Sequence, residues 1–226
     1  MVSLGKTRIH MKNLKPALVV TVVGVVLCLG VYVGLKRYLV SVPGISAVGG
    51  AAISGLRIEG LPYYVQHDPQ WADELIGGSQ ERMASVGCTI SCVAMGLTRH
   101  GYALDPLQLC RALKEKEGFT AGGLLLWNKI ADITNNTVTV EFPRLSHATL
   151  DTELRQGTPI IARIRLDEVV THWVLIVGKE GQEYLIMDPL NDAKQLIRLS
   201  ERSKRIYAIR VLRKVEPPKV ESGEAL

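Results

Sequence analysis

The spacing of hydrophobic and polar positions changes character several times along this chain. Residues 17–35, ALVVTVVGVVLCLGVYVGL, show no alternation and carry no charge. At about 1.5 Å per residue, a helix of that run reaches across the roughly 30 Å hydrocarbon core of a bilayer. Residues 36–60, rich in Gly, Ser, Ala and Val without a sustained period, read as a spacer. A helical period begins at Cys88: Ile90, Val93, Ala94 and Leu97 fall at i, i+3, i+4 and i+7, and Gly101 is a suitable stop. Asp105-Pro106 supplies a cap and a first-turn proline for a second helix to about residue 117, and Gly122-Gly123 precede a third, over 124–132. The second half then turns to period two. Residues 137–142 and 159–164 read as strands on either side of a short helix over 146–156. Residues 172–178 and 182–188 flank Lys179-Glu180-Gly181, a hairpin turn ending in glycine, and two further strands follow near 194–199 and 205–212. A helical half followed by a mainly antiparallel sheet is an α+β architecture.

Charge sharpens the outline. The formal net charge is +5, from 27 basic and 22 acidic residues. Lys6, Arg8, Lys12, Lys15, Lys36 and Arg37 lie in the first 37 residues, which hold no acid. The remainder is close to neutral and offers no electrostatic footprint for nucleic acid. Four of the six basic residues precede the apolar run, so the positive-inside rule predicts a cytoplasmic N-terminus and an extracytoplasmic, periplasmic domain. The run exceeds the apolar core of a signal peptide, and Lys36-Arg37 stand between it and the small residues near Gly49-Gly50, which predicts an uncleaved signal anchor. The organisation expected is a basic N-terminus at 1–16, a transmembrane helix at 17–35, a linker at 36–60, one domain at 61–213 and a disordered tail at 214–226.

Candidate chemistry starts at Cys88. It lies off the apolar stripe of its helix, at the N-terminal turn, where free N–H groups and the helix dipole favour a thiolate. Its structural alternative is one more buried core thiol. In a hairpin centred on Glu180, His172 and Asp188 stand opposite one another, where a carboxylate can orient an imidazole for a nucleophile from another lobe. A register slip of one residue would separate them. Read singly, His172 is an ordinary strand-end residue and Asp188 an ordinary turn residue before Pro189.

Taken together, Tyr64-Val65-Gln66 with Asp68 and Trp71, Gly87-Cys88 with Ala94-Met95 and Leu97, His172-Trp173-Val174 and Met187-Asp188-Pro189 resemble the C39-like peptidases, which are papain-type cysteine peptidases. The resemblance covers roughly residues 61–212. It implies a papain-like fold, with a helical lobe carrying the nucleophile Cys88 and a sheet lobe carrying His172 as base and acid and Asp188 as its orienting group. It also implies Gln66 as an oxyanion-hole donor beside the Cys88 N–H, no cofactor, and a peptide or protein substrate. One departure stands out: the family commonly has Gly-Pro after the nucleophile, whereas Thr89-Ile90 follow Cys88. With one predicted span and no ATP-binding cassette following, the chain is closer to the stand-alone exported branch. Two other classes share these residues: a catalytically silent papain-like module that binds a peptide or envelope protein, and a zinc site using Cys88, Cys92 and His172. Cys92 and Cys110, placed on either side of Gly101, are expected as core thiols, with a disulfide as the alternative. Trp71 and Trp127 are expected to pack, and Trp173 to line the cleft.

Overall fold

The computed structural model describes residues 15–40 and 44–215, and in the first stretch the side chains from Val20 to Gly34. The chain divides into two units, residues 1–43 and 44–226.

In the first unit, α1 (Lys15–Val40) contains the whole uncharged run. Its described side chains are exposed throughout. Among the described residues, no helix is long and apolar enough to cross a membrane.

The second unit opens where a spacer was expected, and that expectation is corrected. β1 (Ile45–Ser46) and β2 (Val48–Arg57) occupy the small-residue stretch. The small residues serve close packing. A Cβ on Gly49 would meet the His147 ring at 2.5 Å, and one on Gly50 would meet the Asp151 carboxylate at 2.5 Å. The domain therefore begins near Gly44, not at residue 61. The short α2 (Met83–Val86) leads into α3 (Cys88–Leu97), which continues as a single 3-10 turn to His100 and ends at Gly101 with φ +88°. α4 (Pro106–Glu115) starts with a reciprocal capping box between Asp105 and Gln108. The expected third helix shrinks to α5 (Lys129–Ile133), because Leu125 instead bridges Phe119 across the turn at Gly123, φ +78°. β3 (Val138–Glu141), α6 (His147–Arg155) capped by Ser146, and β4 (Ile160–Leu166) follow as expected.

β5 (Val170–Met187) is an uninterrupted extended run where two strands were expected. Extended at about 3.3 Å per residue, it would put residues 172 and 188 some 50 Å apart. Their side chains instead touch, His172 Nε2 lying 2.7 Å from Asp188 Oδ1, so the run doubles back on itself. Gly181, at φ +60°, is the only residue of the run with positive φ and marks the bend. β2 follows β5 around it, with Arg57 opposite Gly178, Ile53 opposite Gly181 and Val48 opposite Glu183 across register shifts. β6 (Ile197–Arg198), the 3-10 turn Leu199–Glu201, β7 (Arg205–Ile206) and β8 (Ala208–Lys214) complete the unit. The main sheet runs β2-β5-β4-β8-β3, with β6 also on β5, while β1 and β7 form a separate pair. Every pairing is antiparallel. Val215 N still bonds to Thr137 O, so the ordered chain passes residue 213, and the expected tail from 216 onward lies outside the described residues.

Alternation along the strands builds a core on each face of the sheet. Ile161, Leu175 and Val177 join Val93, Met95 and Leu97 of α3 and Leu109 and Leu113 of α4. Ile160, Ala162, Ile164, Val174 and Ile176 join Leu150 and Leu154 of α6. Trp71 is buried in the first core and Trp127 packs against it. Cys92 and Cys110 are buried free thiols.

Candidate active site

The site forms where the first turn of α3 meets the two ends of the β5 run. Gly87 makes the approach possible, since a Cβ there would fall 2.4 Å from Met83 O. In a continuous helix the Cys88 N–H would bond to the carbonyl four residues back, Ala84 O. That carbonyl accepts from Gln66 Nε2 at 2.8 Å, and the Cys88 N–H has no backbone acceptor among the described residues. The Gln66 amide thus occupies the gap in the helix beside the cysteine, and its Nε2 keeps a second hydrogen. Gln66 is itself fixed by its N–H on Pro189 O, 2.9 Å, and by Trp71 Nε1 on the neighbouring Val65 O, 2.8 Å. The backbone at Gln66 is thus fixed on both sides, while its side-chain amide is held through Nε2 on Ala84 O and its Oε1 is buried without a hydrogen-bond partner.

Cys88 is buried, and burial pushes its thiol up. The hydrogen bond and charge of His172 outweigh that, helped by the Trp173 backbone and the Thr89 hydroxyl, so the thiol lies below its ordinary range. His172 behaves in the complementary way. Burial alone would favour the neutral ring, yet the Asp188 carboxylate and the Cys88 sulfur bring it up to about 9. Since Nε2 is taken by Asp188 at 2.7 Å, Nδ1 is the nitrogen left for sulfur. Asp188, with no exposure, is held below its usual range against burial by His172, the Leu190 N–H and the Arg202 guanidinium. The Tyr63 hydroxyl accepts from the Asp188 N–H at 2.8 Å and fixes the backbone there.

All four residues singled out from the sequence lie in this region. His172 bonds Asp188 and interacts with Cys88. Gln66 is joined to the cluster through Ala84 and Pro189. Cys92, one turn below Cys88, is fully buried with its thiol pushed well up. Among the described residues, no group of three or more His, Cys, Asp or Glu side chains is placed to hold a metal ion. Two residues were not anticipated, Tyr63 and Arg202, which touch Asp188, whereas Thr89, noted in the sequence as the departure after Cys88, brings its hydroxyl to the thiol. Thr89 also lines a cavity of about 270 Å³ with Ile76, Val86, Ile90, Phe119 and Leu124. Trp173 packs against Trp127, ring centroids 5.3 Å apart, and is only partly buried beside the cluster.

A family model for the peptidase C39 family matches residues 79–210, more than half of the chain. The chain belongs to the peptidase C39 family. That span contains the cysteine, histidine and aspartate of the cluster, while Gln66 precedes it. Membership of the C39 family indicates a cysteine peptidase of papain-like type. Among solved structures, the chain is similar to a Bacillus anthracis protein classed with the C39-like peptidases, at 14% identity and a TM-score of 0.49, covering 72% of this chain and 98% of that one. No curated protein matches the sequence.

Proposed function

We propose that this C39 family member is a membrane-anchored thiol peptidase that cleaves peptide or amide bonds through Cys88, His172 and Asp188. The observation that carries the reading is the buried chain of contacts from thiol to imidazole to carboxylate, which favours thiolate and imidazolium together. The thiolate attacks the carbonyl carbon, forming the C–S bond and an oxyanion. The Cys88 N–H and the second Nε2 hydrogen of Gln66 receive that oxyanion. His172 delivers its Nδ1 proton to the leaving amine as the C–N bond breaks, leaving a thioester. The neutral ring then takes a proton from water, whose oxygen attacks the thioester and releases the acid and the thiolate. Asp188 holds the ring orientation and the imidazolium charge through both steps.

The anchor rests on the uncharged run 17–35 and on the excess of basic residues preceding it, which together favour a single pass with the peptidase on the extracytoplasmic side. Incubating the full chain in detergent with a peptide library tests the activity. Cleavage is expected for the native chain and not for Cys88→Ala; a Cys88→Ala chain that cleaves equally well removes the proposal. A native chain that binds peptides saturably without cleaving them would favour the silent binding module instead.

A further inference from the structure

Asp188 has a second partner that the peptidase reading leaves unused. Its Oδ1 takes His172 Nε2 at 2.7 Å and Leu190 N at 2.9 Å. Its Oδ2 is buried and aligned with no hydrogen-bond donor, yet Arg202 Nε lies 2.6 Å away as a close ion pair. Arg202 directly follows the 3-10 turn Leu199–Glu201 and bonds through its N–H to Leu199 O, 2.9 Å, with Leu199 fully buried in the core beneath the sheet. Its side chain is about one third exposed, 34%, and its outer face borders a cavity of about 440 Å³ lined also by Ser200, Ser203 and Lys204.

We propose that Arg202 is a positioning residue of this site: by occupying Oδ2 it turns Oδ1 toward His172 and keeps the buried carboxylate charged. This rests on the thiol-peptidase reading above. The groups that face Asp188 come from every side: His172 from the other end of the β5 run, Cys92 from α3, Tyr63 from the segment before Gln66, the Leu190 N–H from the following turn, and Arg202. Burial keeps the Tyr63 hydroxyl and the Cys92 thiol protonated near neutrality. The His172 charge comes and goes with pH. Arg202 supplies the fixed positive charge of the set, since a guanidinium stays protonated throughout. A carboxylate with no water access would otherwise be drawn toward its neutral form, and a neutral Asp188 no longer stabilises the imidazolium that the thiolate depends on.

The sign of the effect follows. Removing the guanidinium raises the pH at which Asp188 takes up a proton. Below that pH the imidazolium and the thiolate are lost together, so the acid edge of Cys88 reactivity moves up. The test is the alkylation rate of Cys88 by iodoacetamide against pH, on the full chain in detergent, with Cys88 occupancy read by peptide mass. Arg202→Gln is expected to move the acid edge up by about half a unit or more, roughly a threefold loss of rate on that limb. Arg202→Lys, which restores the charge without the planar fork, is expected to recover part of the shift. Arg202→Met, which keeps the apolar stem, serves as the second variant where Arg202→Gln does not fold. A native-like acid edge in Arg202→Gln or Arg202→Met, beside a native chain whose Cys88 reacts as an acid-shifted thiolate, overturns the role of Arg202 alone. A native Cys88 that titrates like an ordinary thiol overturns the peptidase reading and this inference with it.

Discussion

Replacing Asp188 with asparagine separates charge from shape in the candidate triad. The amide retains an acceptor for His172 Nε2, so the ring keeps its orientation while the formal charge disappears. His172 is brought from 6.5 up to about 9 against the opposing effect of burial, by the hydrogen bond to Asp188 first and then by the hydrogen bond and charge of Cys88 and the charge of Asp188. At about 1.4 kcal/mol per unit, that displacement corresponds to roughly 3 kcal/mol in favour of the imidazolium. With the carboxylate and the sulfur sharing that preference, Asp188→Asn should remove about 1.5 kcal/mol, a factor of about 10 in thiolate at an acid-side pH. The assay is the pH dependence of Cys88 alkylation, followed from pH 5 to 10. Asp188→Asn is expected to lose reactivity near pH 6 and to recover it above pH 8, where an ordinary thiol ionises. An Asp188→Asn profile that superimposes on the native one would refute the claim that this carboxylate sustains the ion pair.

Three further outcomes follow from the same geometry. Turnover against pH should be bell-shaped: activity rises as the depressed Cys88 thiol ionises and falls as pH passes through about 9, where His172 loses the proton it must give to the leaving amine. A profile still rising at pH 10 would assign the proton transfer elsewhere. Away from the site, the fully buried Lys179 ammonium pairs with Asp151, whose other oxygen accepts from Ala51 N at 2.7 Å. Asp151→Ala strands that cation and should cost about 3–5 kcal/mol in urea unfolding, whereas the double change Asp151→Leu with Lys179→Met should recover most of the loss. A chain starting at residue 61 lacks β2 and uncovers the β5 edge, so it should aggregate or melt well below one starting at Gly44. Equal melting temperatures would make the pairing of β2 dispensable.

How much of this was readable from the residues depends on the kind of signal. The first turn of α3, the Gly101 stop and the Asp105 cap are local rules with local outcomes, and all three appear in the structure. The opposition of His172 and Asp188 needed one long-range assumption, a bend near Glu180, and the bend lies at Gly181. β2 was missed because glycine and alanine carry no alternation to read. Its role depends on partners a hundred residues away, the His147 ring and the Asp151 carboxylate that fill the space above Gly49 and Gly50. The helix expected over 124–132 failed for a similar reason, as Leu125 gains more by bridging Phe119 than by lengthening a short helix. Arg202 had no sequence signal. It is one basic residue among several in its stretch, and only the fold brings it to Asp188.

The most direct test of the central claim is which cysteine reacts. Cys88, Cys92 and Cys110 are all buried and free, but Cys88 alone is held below its ordinary range, while Cys92 is pushed well up and Cys110 up to about 11. Brief treatment of the folded full chain with a thiol-directed electrophile at pH 6, followed by peptide mapping, should therefore place the label on Cys88 and leave Cys92 and Cys110 unmodified. Label on Cys92 or Cys110, or a Cys88 that stays unmodified until pH 8 to 9, would contradict the account.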